Sequence, residues 1–223
     1  MAESFTSELR REAEPIWAAQ HRHPFVRGIG DGTLPLERFR FWVRQDYVFL
    51  IEYARLLALA AARSPDLETM TRFAELMQAT LAVEMDLHRG YAAEFGISAA
   101  ELAREAKAPA TQGYTDFLLR TAALGDYAEL VAALLPCMWG FSEIGLSLAA
   151  VGRPADPRFG KWIDMYADPE FARLALWCRD LLDRLAAGLP PDRRAVACEA
   201  FLVSSRYELA FWEAAWRCER WPV

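Results

Sequence analysis

No Cys-x-x-Cys spacing occurs in this chain of 223 residues, and its four cysteines, Cys137, Cys178, Cys198 and Cys218, all sit within helical patterns. That excludes a zinc knuckle and gives no disulfide framework, and it fits a reducing compartment. Basic charge is also in deficit. Twenty-five Lys and Arg stand against 31 Asp and Glu, a formal net charge of -6, whereas binding to phosphate backbones draws on clustered Lys and Arg. Nucleic acid is therefore excluded as a partner class. No run of about 18 uninterrupted apolar residues suggests a membrane span, and the first residues lack the basic-then-apolar pattern of a leader. The expectation is a cytoplasmic protein with no membrane partner. Period-two alternation and β-branched runs are nearly missing, so strands are not expected.

What is present is apolar mass at three- and four-residue spacing. With 54% hydrophobic and 13% aromatic residues, the chain can bury a sizeable core, and it reads as one all-α domain over residues 1–223, a helical bundle. Helices are expected at Ser4 to Gln20, Pro35 to Arg63, Asp66 to Phe95, Pro109 to Leu124, Tyr127 to Val151, Asp156 to Met165, Pro169 to Leu185 and Asp192 to Cys218. Between them lie breakers: the glycine-rich turn from Gly28 to Pro35, Ser64-Pro65-Asp66, Gly96-Ile97-Ser98, Gly152-Arg153-Pro154 and Gly188-Leu189-Pro190-Pro191.

Three polar groups fall on apolar helix faces. Cys137 follows Pro136 within a long apolar run, and a proline there removes a backbone donor and bends the helix wall around the thiol. Its stripe includes Leu130, Leu134, Phe141, Ile144 and Leu148. Asp46 shares a face with Phe39, Trp42, Val43, Phe49, Leu50 and Tyr53. Glu208 shares one with Phe201, Ser204, Ser205, Phe211 and Trp212. Buried carboxylates cost several kcal/mol unless paired or protonated. Taken singly, each is explained by an ion pair, with Arg44, Arg206 or a helix terminus as the partner. Taken together, a thiol and two carboxylates against aromatic walls have the composition of a small-molecule site, suited to a flat nitrogen-containing ring.

Four separated blocks carry a resemblance: His23 to Pro35, Gln45-Asp46-Tyr47, Leu134-Leu135-Pro136-Cys137-Met138-Trp139 and Ser204 to Trp212. In that order they resemble the TenA family, also called thiaminase II, over nearly the whole chain. The resemblance implies a haem-oxygenase-like all-α fold, a homotetramer and no cofactor. It implies hydrolysis of aminopyrimidines in thiamin salvage: 4-amino-5-aminomethyl-2-methylpyrimidine becomes the 5-hydroxymethyl compound, and thiamin itself can be cleaved. By position, Cys137 would be the nucleophile, Glu208 the acid/base carboxylate and Asp46 the carboxylate holding the pyrimidine. Tyr114, Tyr166 and Phe211 match further aromatics of the site. Phe49 and Phe141 stand where fully active members commonly carry tyrosines, which implies a slower enzyme.

Two other classes compete. The fold also hosts haem- and quinone-related oxygenases, for which His21 or His23 would be the ligand and Gly140 with Gly145 the surface approached by a macrocycle. A regulatory or pyrimidine-binding protein without turnover would keep the site and lose the chemistry. Glu84 and His88, at i,i+4 spacing, do not make the Glu-x-x-His pattern of di-iron proteins; they read as a helix face with local polar contacts, and no metal is expected.

Overall fold

The computed structural model describes residues 3–222. Among these are twelve α-helices, one π-helical turn and no strand. In chain order the helices are α1 (Phe5–Glu12), α2 (Glu14–Arg22), α3 (Pro24–Asp31), α4 (Leu36–Ala62), α5 (Leu67–Ala79), then the π turn (Thr80–Glu84), α6 (Met85–Glu94), α7 (Ala99–Leu102), α8 (Pro109–Leu124), α9 (Tyr127–Val151), α10 (Pro157–Tyr166), α11 (Pro169–Ala186) and α12 (Pro191–Arg217). The all-α expectation holds. Local chemistry sets most helix starts. Side chains of Ser4, Asp66, Asp156 and Asp168 accept backbone N–H groups of the first turn, and Ser98 with Glu101 forms a reciprocal capping box. Prolines open α3, α8, α10 and α11, where their missing N–H costs nothing.

The structure departs from the expected helices at four places. The first helix is two, because Pro15 lies in the opening turn of α2 and cannot donate back into α1. Residues Gly28 to Asp31 are helical, not a turn. Pro24 starts α3, the His23 side chain accepts from Phe25 N–H at 3.2 Å, and the left-handed Gly32 (φ 77°) ends the helix. Gly28 serves packing, since a Cβ there would lie 3.0 Å from Leu34. The stretch from Asp66 to Phe95 is interrupted by the π turn. The short α7 was not anticipated at all.

Two compact units are distinguished. One comprises Met1–Leu34 and Ala128–Trp212. In it α1 packs on α11, and Asp183 of α11 accepts both the backbone N–H and the hydroxyl of Thr6, at 2.7 and 2.9 Å. Its core includes Trp17, Phe25, Leu134, Trp162, Phe201 and Trp212. The α9 helix continues through Pro136, and the cost of the lost hydrogen bond is offset by burial of most of its length. By length and composition α9 could cross a membrane, although Glu129 and Glu143 break its apolar run, and 78% of its most apolar stretch is buried in the protein, as in a core helix.

The other unit comprises Pro35–Tyr127 and Glu213–Val223. Here α4 is central and packs on α5, α6 and α8. Phe39, Trp42, Phe73, Tyr91 and Tyr114 are fully buried, each worth about 1.5–3 kcal/mol or more. Gln45 ties α4 to the start of α8: its Oε1 accepts from Ala108 N–H and the Thr111 hydroxyl, both at 2.8 Å, and its Nε2 donates to the Ala106 carbonyl at 3.0 Å.

Candidate functional site

In the unit formed by the first 34 residues and Ala128–Trp212, five of the candidates gather around α9, α10 and α12. Cys137 is half-buried on α9. One turn further along, Phe141 lies 4.8 Å from the Tyr166 ring and 5.0 Å from Trp212. Trp212 is one turn beyond Glu208 on α12, which is 2% exposed, and Phe211 is buried beside it. The thiol and the carboxylate thus each stand one turn from a member of the same aromatic cluster, which Trp162 completes at 4.6 Å from Tyr166. On α2, Trp17 Nε1 donates to the Ser205 hydroxyl at 3.0 Å and Gln20 Nε2 to the Ser205 carbonyl at 3.3 Å, holding the turn of α12 before Glu208.

Gly145 explains how Tyr166 comes so close to α9. A Cβ at that position would sit 2.5 Å from the Tyr166 carbonyl carbon and 2.8 Å from Ala167 N, so only glycine lets the end of α10 approach. Of the two glycines considered as a surface for a macrocycle, Gly145 is covered by the backbone of Tyr166 and Ala167, while Gly140 meets only Gln20 Oε1 at 3.9 Å. The two histidines considered with them are engaged. His21 Nε2 is 3.2 Å from Glu143, and His23 caps α3. Desolvation pushes the Glu143 carboxyl up, but His21 and Arg10 outweigh it and hold it at about 2. The other thiols differ in setting. Burial drives Cys178 far up, and burial with Glu12 nearby pushes Cys198 up to about 12.

In the α4-centred unit, the other three candidates are together. Phe49 stacks near Tyr53 at 5.7 Å and lies 5.1 Å from the ring of Tyr114 on α8. Asp46, one turn earlier on α4, is 3% exposed. Its partner is not Arg44, which pairs with Glu105, and Arg206 is paired with Glu199. The partner is His88 of α6, whose Nε2 is 2.7 Å from Asp46 Oδ2. The local polar contact expected between Glu84 and His88 is present, His88 Nδ1 lying 2.9 Å from the Glu84 carbonyl, but His88 is also fully buried, with Trp42 at 5.2 Å and Tyr91 at 6.3 Å, and its pairing with Asp46 was not anticipated. Burial pulls its imidazolium down, but Asp46 and then the Glu84 carbonyl outweigh that, and its pKa lies above the ordinary value. Among the described residues no group of three or more His, Cys, Asp or Glu side chains could hold a metal ion.

The chain has the haem-oxygenase-like fold: a domain of that fold from Shewanella denitrificans superposes with a TM-score of 0.72 at 13% identity, over 95% of this chain and 92% of that one. More narrowly, the chain belongs to the TENA/THI-4/PQQC family, whose model matches residues 10–218. An aminopyrimidine aminohydrolase from Halalkalibacterium halodurans is 46% identical over 98% of both chains. Another of that name, from Bacillus subtilis, is 38% identical over 97% of this chain and 92% of its own. A TenA homologue from P. horikoshii superposes with a TM-score of 0.88 at 30% identity, covering 96% of this chain and 99% of that one.

Proposed function

We propose that this chain is an aminopyrimidine aminohydrolase of thiamin salvage, with Cys137 as nucleophile, Glu208 as acid/base and Asp46 as the carboxylate that holds the pyrimidine. The observation that carries the reading is the 46% identity to an aminohydrolase over 98% of both chains. Asp46 and Glu208 are both buried on aromatic helix faces, a setting that fits the roles given to them.

The reaction to be accelerated is displacement of an amine from a methylene on an electron-poor ring, and a covalent route divides it into easier steps. The Cys137 thiolate adds to the ring carbon beside the one bearing the methylene, while Glu208 gives a proton to the ring nitrogen on which charge develops. The dearomatised ring then expels the protonated aminomethyl nitrogen of 4-amino-5-aminomethyl-2-methylpyrimidine as ammonia, leaving an exocyclic methylene on a cationic ring. Water adds to that methylene and its surplus proton passes to the released ammonia; the ring nitrogen then returns its proton to Glu208 as the thiolate leaves, which restores the aromatic ring. One water enters and one ammonia leaves. Asp46 accepts from the 4-amino group and fixes the ring for attack. Phe49 and Phe141 supply apolar walls without hydroxyls, so fewer donors stabilise the thiolate than where tyrosines stand.

Incubation of the purified protein with the aminopyrimidine, following ammonia and the hydroxymethyl product, tests the reading: steady turnover is expected. Tight binding with no product would make it a binding protein. A homotetramer in the cytoplasm belongs to the same reading, and light scattering near four times 25.2 kDa checks the assembly.

A further inference from the structure

Asp46 Oδ2 and His88 Nε2 are 2.7 Å apart with side chains 5% and 0% exposed, within reach of a charge-assisted contact. The second ring nitrogen decides where the protons are. His88 Nδ1 is 2.9 Å from the carbonyl oxygen of Glu84, and a carbonyl only accepts, so Nδ1 carries a hydrogen. An unprotonated Nε2 would then sit 2.7 Å from a carboxylate oxygen, two acceptors in repulsion. A further proton therefore lies between ring and carboxylate, as imidazolium with carboxylate or imidazole with carboxylic acid. Either way the pair sums to zero charge and Oδ2 is engaged, which leaves Oδ1 as the acceptor.

The helix register shows what aims His88 there. Phe73, Leu76 and Thr80 are buried, and a regular helix would next turn positions 83 or 84 and 87 inward. Instead Val83 is exposed, and Met85, His88, Tyr91 and Ala92 are buried. The inward face has slipped by one residue, which is what a single π turn inserts. In an unbroken helix position 88 would lie about 80° round from Thr80, at the margin of the inward face.

We propose that His88 is a positioning residue for Asp46, engaging Oδ2 so that the carboxylate cannot rotate and Oδ1 alone is offered to the amino group of an aminopyrimidine. The inference rests on the reading of Asp46 as the pyrimidine's carboxylate.

The test compares wild type with His88→Leu, His88→Gln, Asp46→Asn and the double variant His88→Leu/Asp46→Asn. Calorimetric titration with 4-amino-5-hydroxymethyl-2-methylpyrimidine gives affinity, and ammonia release gives KM and kcat. His88→Leu should weaken pyrimidine affinity and raise KM about 10- to 100-fold, the range for hydrogen bonds to charged groups, with a smaller change in kcat. His88→Gln, which can still donate to Oδ2, should recover most of that loss. In the Asp46→Asn background the leucine should add less than about threefold, because its effect runs through the carboxylate. Unchanged affinity in His88→Leu, or fully additive losses in the double variant, would overturn the role of His88 while a wild type that turns over the pyrimidine keeps the enzyme reading intact. A wild type that neither binds nor converts the pyrimidine removes both. Should His88→Leu fail to fold, imidazole nitrogen NMR of the wild type decides: Nδ1 should stay protonated from about pH 5 to 9, across the ordinary histidine range, and an unprotonated Nδ1 would overturn the proposal.

Discussion

Replacing Gly145 with alanine isolates the contact that brings Tyr166 against α9. The added methyl would lie 2.5 Å from the carbonyl carbon of Tyr166, 2.7 Å from its oxygen and 2.8 Å from Ala167 N. All three are backbone atoms, so no side-chain rotation relieves the overlap and the end of α10 must move. Overpacking of this kind costs about 1–3 kcal/mol. Against it stands the helix preference of alanine over glycine, about 1 kcal/mol. Gly140 on the same helix supplies the control, because a Cβ there meets only Gln20 Oε1, at 3.9 Å, and Gly140→Ala keeps the gain without the overlap. The difference between the two variants is then the overlap itself, about 1–3 kcal/mol. For a chain of this size each kcal/mol moves Tm by roughly 2–4 °C, so Gly145→Ala should melt roughly 2–12 °C below Gly140→Ala by circular dichroism. Because Tyr166 contacts Phe141 at 4.8 Å, Gly145→Ala should also raise KM for the aminopyrimidine. Gly145→Ala melting at or above Gly140→Ala would refute the close-approach argument.

Restoring a hydroxyl by Phe49→Tyr or Phe141→Tyr should raise turnover about 2- to 10-fold, the span of one hydrogen bond to the thiolate or substrate; equal steady-state ammonia release in variant and parent would show that the missing hydroxyls do not limit the rate. Glu143 is held at about 2 against an ordinary 4.5, so its contribution to stability is present above about pH 4.5 and is lost as pH falls toward 2. Denaturant titrations at pH 6 and pH 3 should therefore show a larger loss for wild type than for Glu143→Gln, and parallel losses would contradict the assignment. Thr6→Val removes a buried hydroxyl that donates to Asp183 at 2.9 Å and should cost about 1–3 kcal/mol in urea unfolding, where no change would mean that Asp183 is satisfied by the backbone N–H alone.

Much of the site could be read in advance because a helix displays burial as a period. Asp46 and Glu208 fall in phase with aromatic neighbours, and both are buried. Phe49, Tyr114, Phe141, Tyr166 and Phe211 came from the family resemblance, and all five are buried. His88 escaped because the π turn shifts its phase by one residue, a slip too small to distinguish in a pattern that tolerates spacings of both three and four. The signal was available from the other side of the pair: Asp46 has no inward-facing cation on its own helix, so its partner had to come from elsewhere. The α3 helix escaped because Gly28 and Gly30 read as breakers, whereas a Cβ at either would come within 3.0 Å of Leu34 or Leu148. At these two positions glycine marks close packing and not a turn, and spacing alone does not separate the two.

The proposal that a thiol performs the chemistry is tested most directly by Cys137→Ala. Ammonia release from 4-amino-5-aminomethyl-2-methylpyrimidine should fall at least about a thousandfold, the scale on which loss of a nucleophile acts, while affinity for the hydroxymethyl product stays within about threefold of wild type. Turnover by the alanine variant at the wild-type rate would contradict covalent catalysis by Cys137.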